Sequence, residues 1–291
     1  MLLKFIQKAG FAKAILLASV AALTLAASPG AVLADSCEGE TVLERILRTK
    51  LLVIGVGSYP PGVYVDPVTG SWTGFDIDFY NELAVRLDVD PAQSYMPGAA
   101  MLPGIKTGRL DVLVDLYKNP KRAEVIDFSD KWIYYFDNIY VNSENPTITE
   151  PTVAQLTGKR ITTCRGCGEE AYIDRIPGAT KVLFDSVEAG FLEVSAGRVD
   201  AAIQPSIYGD YGMKQNPGWK MMSIGPPPKD ILGEDDLYAT PAYFGFIKGP
   251  CSTTLAKEIN TLIADWKASG KMAEALAKYG MTDPAFIHGL N

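Results

Sequence analysis

Histidine is almost missing from this sequence of 291 residues: His288, near the C-terminal end, is the only one. That scarcity speaks against a Ser-His-Asp or Cys-His nucleophilic site and against a histidine-rich metal cluster. Basic residues are outnumbered 27 to 34, for a net charge of −7. Such a balance disfavours nucleic acid and anionic membranes as partners. Long apolar runs are scarce too. The run from Ala14 to Ala27 is short of the ~20 residues that a membrane-spanning helix needs, and no later run is long and apolar enough. It follows Lys4, Lys8 and Lys13 and precedes Val32-Leu33-Ala34, the layout of a secretory signal peptide over residues 1–34, cleaved after Ala34. Without the leader, 24 basic residues face 34 acidic ones, net −10. Cys37 lacks the residue context of a lipidated cysteine. A soluble exported protein is expected, in an oxidising compartment where four cysteines pair.

The remaining length exceeds the ~100–200 residues usual for one domain. Thr41 to Arg48 reads as a short helix opened by a Thr41/Glu44 capping box. Leu51 to Val56 is a buried parallel-type strand closed by the turn Tyr59-Pro60-Pro61-Gly62. A helix follows Gly74-Phe75-Asp76-Ile77-Asp78-Phe79, with Leu83 and Leu87 on the face of Phe79 and Glu82 spaced to pair with Arg86. Another spans Ala99 to Lys106. Then Gly108-Arg109-Leu110-Asp111, leading into Val112-Leu113-Val114, recurs as Gly197-Arg198-Val199-Asp200 before Ala201-Ala202-Ile203. Each copy stops a helix at glycine and starts a buried strand, and Asp185-Ser186-Val187-Glu188 opens the second helix as a capping pattern. Two such units predict two similar α/β lobes. The polar stretch from Asn142 to Pro151 reads as the crossover into the second lobe, Gly233-Glu234-Asp235-Asp236 as loop, and Ala242 to Ile247 as a strand. Leu255, Ile259, Leu262 and Trp266 share one face of a terminal helix, whose natural partner is lobe one.

The segment from Lys118 to Asp130 follows the Val112–Val114 strand at its carboxyl end, where open α/β sheets bind ligands. Asn119 caps a helix start with Pro120 at its first position. Arg122 then projects from the first turn, where backbone N–H groups already favour an anion.

Taken in order, these motifs resemble family 3 extracellular solute-binding proteins, the polar-amino-acid receptors of ABC importers. The resemblance covers residues 41–282 and rests on the Gly74–Phe79 signature, the Tyr-Pro-Pro turn, both Gly-Arg-apolar-Asp units, and Pro120-Lys121-Arg122 with Val125-Ile126-Asp127-Phe128-Ser129-Asp130. It implies a two-lobed periplasmic-binding-protein fold with two hinge strands and a cleft that closes on its ligand. Lobe one is expected over 35–138 and 242–291, lobe two over 139–241. It also implies a small-molecule ligand (an amino acid or related organic acid), an ABC permease as partner, a monomer, and no cofactor. By the resemblance, Arg122 holds the ligand carboxylate, a pairing that suits the guanidinium fork.

Three departures mark the site. Relatives carry hydroxyl residues on the loop where Gly166-Cys167-Gly168 stands, so only backbone N–H groups remain there. The acid that relatives set against the ligand's α-ammonium matches Pro205, flanked by Gln204 and Ser206. Two aromatic positions are Gly62 and Gly98. Tyr64, Tyr95, Tyr117, Trp132 and Tyr135 are the rings available instead, with Tyr64 and Tyr117 taken as site residues, and Asp115 is a replacement acid for a ligand cation. Cys164 and Cys167 read either as a redox dithiol or as a local structural disulfide. With that pair closed, Cys37 joins Cys251, since bonds across the lobes would oppose hinge motion. A second function stays open: exported cyclohexadienyl dehydratases share the resemblance and need a general acid in the cleft, for which Glu169 and Glu170 are the candidates.

Overall fold

In the computed structural model, residues 37–232 and 239–290 are described. The leader with its cleavage point after Ala34, and the loop read at Gly233 to Asp236, lie outside them. The strands that matter are β1 (Leu51–Val56), β2 (Asp90–Tyr95), β3 (Val112–Tyr117), β4 (Ile126–Phe128), β5 (Asp137–Asn142), β6 (Arg160–Cys164), β7 (Thr180–Phe184), β8 (Ala201–Pro205), β9 (Met221–Ser223) and β10 (Thr240–Ile247). The helices are α1 (Val42–Thr49), α2 (Phe75–Leu87), α3 (Gly98–Lys106), α4 (Pro120–Ala123), α5 (Glu170–Asp174), α6 (Val187–Ser195), α7 (Ser206–Gln215), α8 (Thr253–Ser269) and α9 (Lys271–Ala277).

Two main sheets result, one in each lobe, beside a small hairpin that pairs Tyr64–Val65 with Trp72–Thr73. The first runs β2-β1-β3-β10-β4, with Tyr134–Tyr135 added against the start of β10. Its β1 pairs in parallel with β2 and β3, while β10 is antiparallel to β3 and β4. The second runs β7-β6-β8-β5-β9, parallel between β7, β6 and β8 and antiparallel around β5.

The repeated unit has the same local structure twice. Gly108 and Gly197 end α3 and α6 with φ of 69° each, a left-handed turn that glycine adopts without a Cβ penalty. Asp111 N–H then donates to Val53 O at 2.8 Å while its Oδ2 accepts the Val53 N–H at 2.7 Å. Asp200 does the same with Arg160, both bonds 2.8 Å. Each aspartate therefore pins the strand it starts to that strand's parallel neighbour, β1 in one sheet and β6 in the other.

The terminal helices complete lobe one. Phe79 stacks on Phe244 at 4.8 Å and meets the Trp266 ring edge-on at 5.2 Å. Glu82 and Arg86 do not pair along α2. Lys271 takes Glu82, and Asp265 takes Arg86 at 2.7 Å, because α8 and α9 lie against that face and offer closer partners. The disulfide between Cys37 and Cys251 ties the segment before α1 to the start of α8, with Cα atoms 4.6 Å apart.

Two local expectations shift. Asn142 to Pro151 is not the crossover, since β5 already belongs to the second sheet through its pairing with β8; the chain has changed lobes before Asp137. The cap of α6 is Ser186, whose hydroxyl accepts from Ala189 N–H at 3.2 Å, one residue later than the capping pattern implied. Among the described residues, no helix is long and apolar enough to cross a membrane.

Candidate functional site

A cavity of about 790 Å³ opens between the two sheets, at the carboxyl ends of β3 and β8. Lobe one contributes β3, the start of α4 and the start of α3; lobe two contributes the loop after β6 and the residues following β8. Both sheets thus turn the same chemical end toward one space, as parallel topology dictates.

Arg122 is set by its own segment. Asn119 Oδ1 caps α4 by accepting the Arg122 N–H at 2.8 Å, and Pro120 fixes the first turn. Arg122 is buried, with 8% of the residue exposed. Nη1 donates to Tyr117 O and Nη2 donates across the cleft to Gly166 O, both at 2.6 Å. Two of its five N–H donors are therefore committed, which leaves three for an anionic group in the cavity.

Asp115 ends up on the same wall by an uncommon backbone step, φ 60° at the fourth residue of β3. Its Oδ2 accepts from the Tyr135 hydroxyl and, across the lobes, from Tyr208 at 2.6 Å. Burial pushes the carboxyl up to about 6, against the pull of its two tyrosyl donors. Behind it lies Asp76 from the Gly74–Phe79 signature, fully buried, with the Trp132 indole donating to Oδ1 at 2.8 Å. Burial, and then the charge of Asp115, hold the Asp76 carboxyl well above its ordinary range.

The lobe-two loop differs from expectation. Cys164 and Cys167 form a disulfide, Cα atoms 5.3 Å apart. The Gly166 N–H goes to Glu170 Oε1 at 2.5 Å and the Cys167 N–H to Cys164 O at 3.2 Å. Those two amides are thus spent inside the loop, and with Gly166 at φ 83° it is the Gly166 carbonyl that meets Arg122. Gly168 packs on the Tyr117 ring, where a Cβ would lie 2.5 Å from the ring edge. A Cβ at Gly98 would come within 2.4 Å of Arg165 O, so the close approach of the two lobes explains why no aromatic residue stands there. Next in the chain is Glu169, 4% exposed. Burial raises its carboxyl to about 7, while its own backbone N–H, Arg122 and Tyr117 pull it down.

Of the residues expected at the site, Arg122, Asp115, Tyr117, Gly166, Cys167, Gly168 and Gln204 all line the cavity. Tyr64 does not; its hydroxyl meets that of Tyr211 at 3.3 Å on the rim between the lobes. Tyr135 lines the cavity, whereas Tyr95 stacks on Trp72 and Trp132 serves the core. Gln204 is held by Thr163 Oγ1 at 2.8 Å. Two tyrosines of the wall, Tyr59 and Tyr208, were not read from the sequence as site residues. The signal for both was position: each follows the carboxyl end of a buried strand, β1 and β8.

Comparison with known proteins agrees with this architecture. The profile of bacterial extracellular solute-binding proteins, family 3, matches residues 51–282. The histidine-binding periplasmic protein of Salmonella typhimurium is 28% identical over 214 residues, 72% of this chain and 80% of the relative. The lysine/arginine/ornithine-binding periplasmic protein of Escherichia coli is 30% identical over 155 residues, 52% and 59% of the two chains. Among solved structures, a mutant of the arginine-binding protein of T. maritima superposes with a TM-score of 0.72 at 24% identity, covering 82% of this chain and 98% of that one. The ancestral amino-acid-binding protein AncCDT-1, a precursor of cyclohexadienyl dehydratase, gives 0.69 at 24% identity, covering 82% and 99%. With its two-sheet cleft and a profile match over most of its length, the chain belongs to family 3 of the bacterial extracellular solute-binding proteins.

Proposed function

We propose that this protein is the periplasmic receptor of an ABC importer, capturing a small solute of the amino-acid class and delivering it to the permease. Its matched relatives are periplasmic receptors for histidine and for lysine, arginine and ornithine. The observation that carries the reading to this chain is Arg122, buried at the cleft with donors still uncommitted. In a site shielded from water, a guanidinium with free N–H groups calls for an anion. The ligand carboxylate would sit there, and its cationic end would lie toward Asp115, since Pro205 offers no acid. The two lobes, between which the chain crosses just before Asp137 and again before Thr240, would close over it, in a monomer cleaved after Ala34. A thermal-shift screen of amino acids, amines and small carboxylates tests the reading. A ligand at about 100-fold over its Kd adds about 2.7 kcal/mol of stability; no shift with any carboxylate would count against it.

One observation favours a second reading, the dehydratase. Glu169 is a buried carboxyl in the cavity, raised to about 7, the property a general acid needs at neutral pH. Incubation with prephenate and arogenate separates the two, since an aromatic product would identify an enzyme.

A further inference from the structure

The cation end of the cavity is walled by aromatic rings. Tyr59, Tyr117, Tyr135 and Tyr208 all line it. They form a continuous series: ring centres are 6.3 Å apart for Tyr59 and Tyr208, 5.4 Å for Tyr208 and Tyr135, and 6.1 Å for Tyr135 and Tyr117. Asp115 and, buried in the core, Asp76 stand by Tyr135 and Tyr208, while Tyr117 at the other end of the series meets Asp137 and Glu169. Neither Asp115 nor Asp76 turns a free oxygen to solvent. Asp115 Oδ2 already receives two tyrosyl hydroxyls, and Asp115 Oδ1 and Asp76 Oδ2, though without hydrogen-bond partners, are both covered from solvent. Among the other lining residues Met101, Leu102, Val187 and Pro205 are apolar, and the carboxyls of Glu169, Glu170 and Asp174 belong to the lobe-two loop and α5.

Negative charge behind rings, with its oxygens taken by tyrosyl hydroxyls or covered from solvent, selects among cations. A primary ammonium brings three N–H donors, and each one left unpaired in a dry site carries a desolvation penalty. An alkylated ammonium has few or none, spreads its charge over methyl groups, and is attracted to ring faces. We propose that the ligand is a betaine-type zwitterion: a carboxylate on Arg122 and an N-methylated, at the limit trimethylated, ammonium against Tyr59, Tyr135 and Tyr208 in front of Asp115. This rests on the receptor reading above and sharpens it.

Calorimetry with two methylation series of constant carboxylate tests it, one from glycine to glycine betaine, the other from 4-aminobutyrate to its N,N,N-trimethyl form. Affinity should rise with each methyl in at least one series, by about tenfold from the primary to the trimethylated member. Tyr208→Leu should abolish that advantage. Tyr208→Phe keeps the ring, so it should retain the preference for the methylated form while improving the primary amine, because it frees Asp115 Oδ2 to accept. Equal or tighter binding of the unmethylated members, still weakened by Arg122→Ala, would overturn the methylation preference and leave the receptor reading standing. Failure of every member to bind overturns the inference, and failure of the wider amino-acid screen as well removes the receptor reading with it.

Discussion

At the scale of single residues, the site reduces to a few buried charges whose partners are visible. Arg122→Ala should weaken ligand binding at least about 30-fold, the lower end of the ~2–5 kcal/mol lost when one partner of a buried charge pair is truncated. It should also lower the stability of the unliganded protein by on the order of 1–3 kcal/mol, because the carbonyls of Tyr117 and Gly166 lose a charged donor. Arg122→Lys keeps the charge but not the fork, so calorimetry should find only partial recovery. Glu169 sets a pH dependence. Its carboxyl binds a proton more tightly folded, at about 7, than unfolded, near 4.3. Its stabilising contribution is therefore complete at low pH and lost as pH rises through about 7. Unliganded stability should fall from about pH 5 to pH 8, and Glu169→Gln should flatten that slope, adding on the order of 2–3 kcal/mol at pH 8; an unchanged melting profile would remove Glu169 as its source. The position of Arg122 and Asp115 on the cavity wall was legible because the segment that carries them is local: a strand, a cap, a proline. Tyr208 was not, since it lies 93 residues from the carboxylate it serves. The spent amides of Gly166 and Cys167 were hidden too, because neither Glu170 nor the left-handed turn announces itself in a Gly-Cys-Gly string.

At the scale of elements, the two Gly-Arg-apolar-Asp units act as clamps within each lobe. Asp111 is buried and also holds the Arg45 guanidinium of α1. Asp111→Ala orphans the Val53 N–H and that guanidinium, and urea unfolding should register a loss of about 2–4 kcal/mol. Asp200→Ala, at a more exposed site, should cost less, about 1–2 kcal/mol. The repeat itself was plain in the sequence because a helix stop, an acid and a buried strand must occur together to build it. The crossover was misplaced for a physical reason: β5 is a hydrophobic strand continuous with the lobe-one segment before it, and only its pairing with β8 assigns it to the other sheet. The exchange of the Glu82–Arg86 pair for contacts with α8 and α9 is likewise a tertiary choice among equally charged neighbours.

At the scale of the molecule, ligand-driven closure should appear in small-angle scattering as a smaller radius of gyration at saturating ligand, and an unchanged radius would rule it out. Opening the Cys37–Cys251 bond by a double serine substitution should cost about 2–4 kcal/mol of stability without changing ligand affinity, since the bond lies in lobe one, away from the cleft. The two-lobed plan was readable because it is written twice, once per lobe. What could not be read was the order of strands in the first sheet. There, β10 is inserted between β3 and β4, strands that precede it by more than a hundred positions. That placement has a consequence for how the chain is made. The second sheet is drawn from one uninterrupted stretch, β5 to β9, and can assemble as soon as that stretch is exported. The first must wait with a gap in its middle, two unpaired strand edges exposed, until Thr240–Ile247 arrives. A nascent chain halted before Thr240 should therefore yield a protease-resistant second lobe attached to a first one that is still open to chaperones, and completion of the molecule should be paced by its last strand rather than its first.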